Sequence, residues 1–157
     1  MDSYFSGTYN CKADAKGRVM LPVALKKKVD SILEEGFVIK ISFYENCLEL
    51  HPVSSWNAIM VELNSKNKFD PEVLSFIRKY TAGLRPVEID GAGRLLISKS
   101  LVSEVGISKN VVLADMGEFI EIWDKELYDG VVKGTKEENM ALARKVMLTE
   151  KSKNELS

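Results

Sequence analysis

Two arginines stand in matching settings. Arg18 follows Gly17 and lies four residues after Asp14, and Arg94 follows Gly93 and lies four residues after Asp90, seventy-six positions further on. The segments Asp14-Ala15-Lys16-Gly17-Arg18-Val19-Met20-Leu21-Pro22 and Asp90-Gly91-Ala92-Gly93-Arg94-Leu95-Leu96-Ile97-Ser98 read as one motif written twice. An aspartate tolerates turn geometry because its carboxylate accepts backbone amides two residues on, and a glycine supplies a positive φ without steric cost. An arginine just beyond such a turn can donate two parallel hydrogen bonds to guanine O6 and N7, and flanking lysines such as Lys12 and Lys16 neutralise phosphates. The same spacing lets each arginine pair with its own aspartate and fix the turn, leaving Lys16 and the turn backbone to make any contact. Spacing alone leaves both readings open.

Other chemistry is poorly supplied. His51, the only histidine, lies just before Pro52 and has no neighbouring serine, cysteine and carboxylate of the nucleophile–base–orienter kind. One histidine and two separated cysteines, Cys11 and Cys47, form neither a zinc ligand set nor a disulfide framework, so both cysteines read as reduced packing residues. Asp14 and Asp90 as an acid–base pair are better explained by their turns. Gly91 and Gly93 lack the third glycine and the Lys-Ser/Thr step of a nucleotide loop. No enzyme activity, cofactor or metal is expected.

The motifs need elements to carry them. Residues 7–13 and 18–21 read as strands of a hairpin around the first turn, and residues 86–89 and 94–97 around the second, which two glycines should make looser. Each runs into a short helix, with Leu25, Val29 and Leu33 after Pro22 at the first helical position, and Leu101 with Val105 after a capping Ser98. Gly36 and Gly106 end these helices. A strand pair follows in each copy, 37–43 with 47–50 and 111–114 with 119–123. Helical stripes then come at Trp56, Ile59, Met60 and Leu63, and at Leu127, Tyr128 and Val131, each expected in the core. Asp70-Pro71 opens a helix through Val73, Ile77 and Tyr80 that joins the copies and stops at Gly83. Thr135-Lys136-Glu137-Glu138 opens a last helix as a capping box. The polar stretch after Glu150 reads as a frayed tail.

The chain of 157 residues suits one domain of two repeats that share a core, 5–83 and 84–150, with 151–157 as a flexible tail. A hydrophobic fraction of 45% with 29% charged residues is that of a folded soluble protein, and no apolar run is long enough for a bilayer. Met1-Asp2-Ser3-Tyr4-Phe5 lacks the basic stretch and apolar run of a secretory leader, which predicts a cytoplasmic protein. The net charge of −1 argues against a general nucleic-acid coat. Residues 1–40 nevertheless hold seven bases against five acids. Lys26 to Lys28 read as the solvated side of a helix.

The motif Asp14-x-Lys16-Gly17-Arg18-x-x-x-Pro22, its echo Asp90-x-x-Gly93-Arg94 and the helix bearing Trp56 resemble the MraZ family of bacterial transcription regulators over residues 5–147. The resemblance implies an α+β, mainly β fold: a double-psi or swapped-hairpin barrel like that of AbrB, built from two pseudo-symmetric repeats in one chain with peripheral helices. It implies ring-shaped homo-oligomers of about eight or more subunits. It also implies binding of double-stranded DNA at G-rich direct repeats in the promoter ahead of the protein's own gene. The regulator would repress the division and cell-wall gene cluster and associate with the nucleoid. Lys16, Arg18 and Arg94 carry over as DNA-binding residues, with Lys12, Gly17 and Gly93 beside them and Asp14 and Asp90 as turn-stabilising partners. Ser98 in place of proline and Ala92 in place of a lysine give the second turn less phosphate affinity. The alternative implied by AbrB-like folds is an antitoxin-type module that binds a partner protein.

Overall fold

The computed structural model describes residues 7–156, with side chains through residue 148; the Met1–Phe5 stretch read for a leader and the last residue, Ser157, lie outside them. Eight strands alternate with helices in two rounds. The first round holds β1 (Thr8–Lys12), β2 (Arg18–Met20), α1 (Val23–Asp30), β3 (Phe37–Ile41), β4 (Leu48–Pro52), α2 (Val53–Asn64) and α3 (Pro71–Tyr80). The second holds β5 (Arg85–Val87), β6 (Arg94–Leu96), α4 (Lys99–Glu104), β7 (Asn110–Asp115), β8 (Ile120–Asp124), α5 (Lys125–Val131) and α6 (Lys136–Leu156). The helices contain more residues than the strands, so the fold is mixed rather than mainly β.

Strand pairing is antiparallel throughout and crosses between the copies. One sheet has the order β1-β7-β8-β4-β3-β5, and β2 pairs with β6 in a separate two-stranded ribbon. Exchanging each first-copy strand for its second-copy equivalent returns the same order reversed, which places a pseudo-twofold axis between β4 and β8. The simple hairpins expected from the sequence are therefore open. Beyond each turn only one bridge joins the arms, Ala13 to Val19 and Ile89 to Leu95. The first arms leave to pair elsewhere, β1 with β7 and β5 with β3. An isolated two-stranded hairpin is marginal in water, whereas exchanged arms extend a sheet of six strands over one apolar layer. No backbone pairing joins β1 to β5, so hydrogen bonds do not close the expected barrel.

The exchange makes one core out of two halves. Val19, Leu25, Val29, Ile39, Leu48 and Leu50 of the first copy pack with Leu95, Ile97, Leu113, Ile120 and Ile122 of the second, all at most 1% exposed. Neither copy alone could bury that surface. The helix boundaries follow local chemistry. Pro22 sits one residue before the position expected, capping α1 in an extended conformation while its carbonyl accepts the Lys26 amide at 2.8 Å. Leu33 leaves α1 for a single 3-10 turn. Ser98 Oγ accepts the Leu101 amide and Asp70 Oδ1 the Glu72 amide, as their caps require. Thr135 Oγ1 accepts the Glu138 amide at 3.1 Å to start α6, whose backbone continues to Leu156 through the segment read as a tail.

The helical stripes are less buried than their periodicity suggests. Trp56 and Leu63 are buried, Ile59 and Met60 only half so, and Leu127 and Val131 are exposed. α5 covers a small second cluster of Cys47, Val112 and Trp123 through Tyr128, whose ring packs edge-on against Trp123 at 5.9 Å between centroids. Met140 and Met147 on α6 are also exposed. Cys11 and Cys47 are free thiols, and burial pushes both upward in pKa.

Candidate nucleic-acid interface

Both Asp-Gly-Arg turns have the same hydrogen bonds. The Gly17 amide donates to the Asp14 carbonyl at 3.0 Å and the Asp14 amide to the Arg18 carbonyl at 3.0 Å. In the second turn the Gly93 amide reaches the Asp90 carbonyl at 2.9 Å and the Asp90 amide the Arg94 carbonyl at 3.0 Å. This is a three-residue loop whose last member must take a positive φ, and Gly17 and Gly93 do so at +80° and +84°. Gly91 has no positive φ, so the second turn is as tightly made as the first and not looser.

The aspartates complete the turns. Asp14 Oδ1 accepts the amides of Lys16 and Arg18, each at 2.9 Å, and Oδ2 accepts Arg18 Nε at 2.6 Å. Asp90 Oδ1 accepts the amides of Ala92 and Arg94 at 3.0 and 2.9 Å, and Oδ2 accepts Arg94 Nε at 2.7 Å. These bonds, led by the arginine backbone amide in each case, hold both carboxyls below the ordinary aspartate range. The two readings left open by spacing thus coexist. Each guanidinium is oriented by its aspartate through Nε, while its Nη groups make no protein hydrogen bond among the described residues, and the side chains stay 39% and 42% exposed. A fork held at its base presents its far edge at little further entropic cost.

The ribbon joins the turns rigidly. The Ile97 amide donates to the Gly17 carbonyl and the Leu21 amide to the Gly93 carbonyl, both at 2.9 Å, so each turn is locked to the strand end of the other copy. Val19 and Leu95 face inward, and Arg18, Met20, Arg94 and Leu96 face outward, with Arg18 opposite Leu96 and Met20 opposite Arg94. Two residues of strand separate the arginines along the ribbon, about 7 Å.

The lysines are unevenly placed. Lys12 and Lys16 are exposed beside the first turn, where Glu88 and Ala92 occupy the equivalent places in the second. Lys109 joins the first turn through the Ala13 amide, which donates to the Lys109 carbonyl at 2.9 Å, and lines a groove of about 470 Å³ with Asp14, Ala15 and Ser108. Sequence reasoning missed Lys109 because only the β1–β7 pairing brings it there. The 26–28 run is not simply a solvated face. The Lys26 stem lies against Gly93 while its amine meets Asp30 at 3.0 Å, and Lys28 is buried with its amine 2.6 Å from Asp115.

His51 lies away from the turns and has partners of its own. Its Nε2 is 2.9 Å from Glu49 Oε1 and its ring stacks on Phe119 at 4.9 Å. No group of three or more metal-ligating side chains occurs among the described residues, and none of their helices is long and apolar enough to cross a membrane.

The family model of the MraZ protein, whose description likens it to antitoxins, matches residues 4–78 and 82–150. Similar proteins include the transcriptional regulator MraZ of Christiangramia forsetii, 46% identical over 90% of this chain and 91% of that one. The Flavobacterium psychrophilum protein of the same name is 45% identical over 90% of each chain, and that of Cytophaga hutchinsonii 33% identical over 92% and 95%. With the family pattern matched once in each copy, and with relatives this similar over nearly their full length, the chain belongs to the MraZ family.

Proposed function

We propose that the chain is a DNA-binding transcriptional regulator, as its relatives' names suggest, and that it reads guanine edges through the outward face of the β2–β6 ribbon. The observation that carries this reading is the pair of aspartate-oriented arginines, Arg18 and Arg94, about 7 Å apart on an exposed two-stranded ribbon. That separation matches roughly two base-pair steps of a strand rising 3.4 Å per base, so the two arginines of one subunit would reach bases two steps apart, with one base pair between them. Lys12, Lys16 and Lys109 would neutralise phosphates beside the first turn, and Gly17 and Gly93 would let the backbone approach. The second turn would contribute base contacts with less phosphate affinity.

A lone subunit of net charge −1 touches few phosphates and should bind weakly at physiological salt. Assembly as a ring of about eight or more copies on G-rich direct repeats spaced by about 10 bp would raise avidity through effective concentration. The targets would be the protein's own promoter and the division and cell-wall genes behind it, repressed at the nucleoid in the cytoplasm. The ribbon packed on the sheet through Val19 and Leu95 would serve as the barrel of AbrB-like proteins, closed by side chains in place of backbone bonds.

Titration of the upstream DNA against a repeat-scrambled duplex, by fluorescence anisotropy at several salt concentrations, tests the reading. Repeat-dependent binding that Arg18→Ala and Arg94→Ala weaken supports it; equal affinity for both duplexes overturns it. The antitoxin-type alternative is favoured by one observation, the exposed Met140, Leu142, Val146 and Met147 of α6. Loss of repeat-dependent DNA binding in a chain shortened before α6, with β2 and β6 intact, would show that this helix serves self-assembly.

A further inference from the structure

The face of the sheet turned away from the shared core carries a row of charge across the pseudo-twofold axis. Registration aligns Lys40 of β3 with Glu49 of β4, Glu49 with Glu121 of β8, and Glu121 with Ala114 of β7. Glu49 and Glu121 are thus directly opposed at the seam where the two copies meet, and directly opposed like charges destabilise a sheet. The copies differ in what flanks the pair. Glu49 has Lys40, with Nζ at 3.4 Å from its Oε1, and His51 at 2.9 Å, whereas the place equivalent to Lys40 beside Glu121 is held by Ala114. Among the described residues the donors to Glu121 are neutral, the Trp123 Nε1 at 3.1 Å and the Cys47 thiol at 3.8 Å.

We propose that Glu49 and Glu121 carry one negative charge between them over a pH range in which two ordinary glutamates would carry two, with the proton on Glu121, and that its release loosens the β4–β8 seam. The surroundings from each packed element support that division. Lys40 of β3 is fully buried and sits 4.4 Å from the centroid of the Tyr80 ring of α3, committed to the Glu49 side. Glu45 and Tyr44 of the β3–β4 loop, Glu62 of α2 and Glu118 of the β7–β8 turn add no further cation. Burial and then the charge of Glu49 raise the Glu121 pKa, while the bond from His51 and the charge of Lys40 outweigh burial and lower that of Glu49. For Glu121, whose folded value is raised, the stabilising contribution is complete below the unfolded value near 4.5 and is lost as pH rises through the folded one. Glu49 contributes in the opposite sense, losing its stabilising effect as pH falls through its lowered folded value.

The intact chain labelled with ¹³C at glutamate carboxyls tests this by NMR titration. The expected Glu121 midpoint lies above 4.5, and Glu49→Gln moves it downward, because the opposing charge is gone. In thermal melts Glu121→Gln should raise Tm above wild type at pH 8, with an advantage that shrinks as pH falls toward 4.5. A Glu121 midpoint at or below 4.5, a midpoint that Glu49→Gln leaves in place, or a Glu121→Gln chain no more stable than wild type at pH 8 overturns the proposal. If Glu49→Gln does not fold, having left Lys40 buried without its carboxylate, the wild-type titration still decides.

Discussion

Replacing Gly17, Gly93 and Gly91 one at a time by alanine separates backbone strain from steric overlap at the two turns. Gly91 has an ordinary φ and open space where a Cβ would go. Gly91→Ala should therefore change stability by less than about 1 kcal/mol, on the stabilising side, through a less flexible unfolded chain. Gly93 and Gly17 have nearly equal positive φ, so alanine at either costs about 1–2 kcal/mol in backbone strain. Their surroundings differ. At Gly93 the new Cβ meets Lys26 Cδ and Cε at 2.9 Å, the movable stem of a surface side chain. At Gly17 it overlaps the backbone carbonyl oxygen of Ile97, whose own amide is bonded to the Gly17 carbonyl. That carbonyl can move only by parting the ribbon, which adds roughly 1–3 kcal/mol. At about 2–4 °C per kcal/mol for a chain of this size, Gly93→Ala should lower Tm by roughly 2–8 °C and Gly17→Ala by roughly 4–20 °C. Circular dichroism melts at one fixed protomer concentration measure this, since self-assembly makes Tm depend on concentration. A Gly17→Ala chain no less stable than Gly93→Ala would refute the claim that the first turn is wedged against the strand end of the other copy.

Lys28→Ala removes the cation of the buried Lys28–Asp115 pair that joins α1 to β7, while Asp115 keeps the Gly117 amide, and should cost about 3–5 kcal/mol, read by urea denaturation; a loss under about 1 kcal/mol would show that the Asp115 carboxylate is held without Lys28. Arg18→Ala should weaken binding to repeat DNA by about 1–3 kcal/mol and relax base preference, whereas Lys109→Ala should act evenly across sequences and flatten the salt dependence by about one phosphate, both read by anisotropy titration. Asp14 and Asp90 have lowered pKa values, so their stabilising bonds hold above the unfolded value near 3.8 and weaken as pH falls through the folded one. A chain with both Asp14→Asn and Asp90→Asn should accordingly lose less stability between pH 5 and pH 2 than wild type does; an unchanged slope would remove the aspartates from the account.

Local chemistry was legible in the sequence, and long-range pairing was not. The Asp-x-x-Gly-Arg turns, the Ser98, Asp70 and Thr135 caps and the strands of both copies follow from residue types at short spacing. Which arm each strand pairs with does not, because Thr8–Lys12 alternates in burial as well against β7 as it would against β2. That choice is made by the core, where Val19 and Leu95 are buried only if both copies contribute. The same long-range pairing explains the missed Lys109 and the buried Lys28, both of which depend on β7. The His51–Glu49 contact is not evident from the sequence because the two residues share one side of a strand only once β4 extends through Pro52. For the site itself, spacing defined the aspartate–arginine pairs and left their use open; the geometry fits an arginine bound at Nε and exposed beyond it.

The pairing of β1 with β7 also sets a schedule for synthesis. Thr8 lies opposite Ala114, so the first strand leaves the ribosome about a hundred residues before its neighbour exists, a wait of roughly 5–20 s at about 5–20 residues per second. Through that interval its edge is open to any passing β-prone segment, and the β2 and α1 side chains have no second half to bury against. Folding of the shared core must in that sense wait for the second copy, and its yield in the cell should depend on what shelters the N-terminal half while the remainder is made.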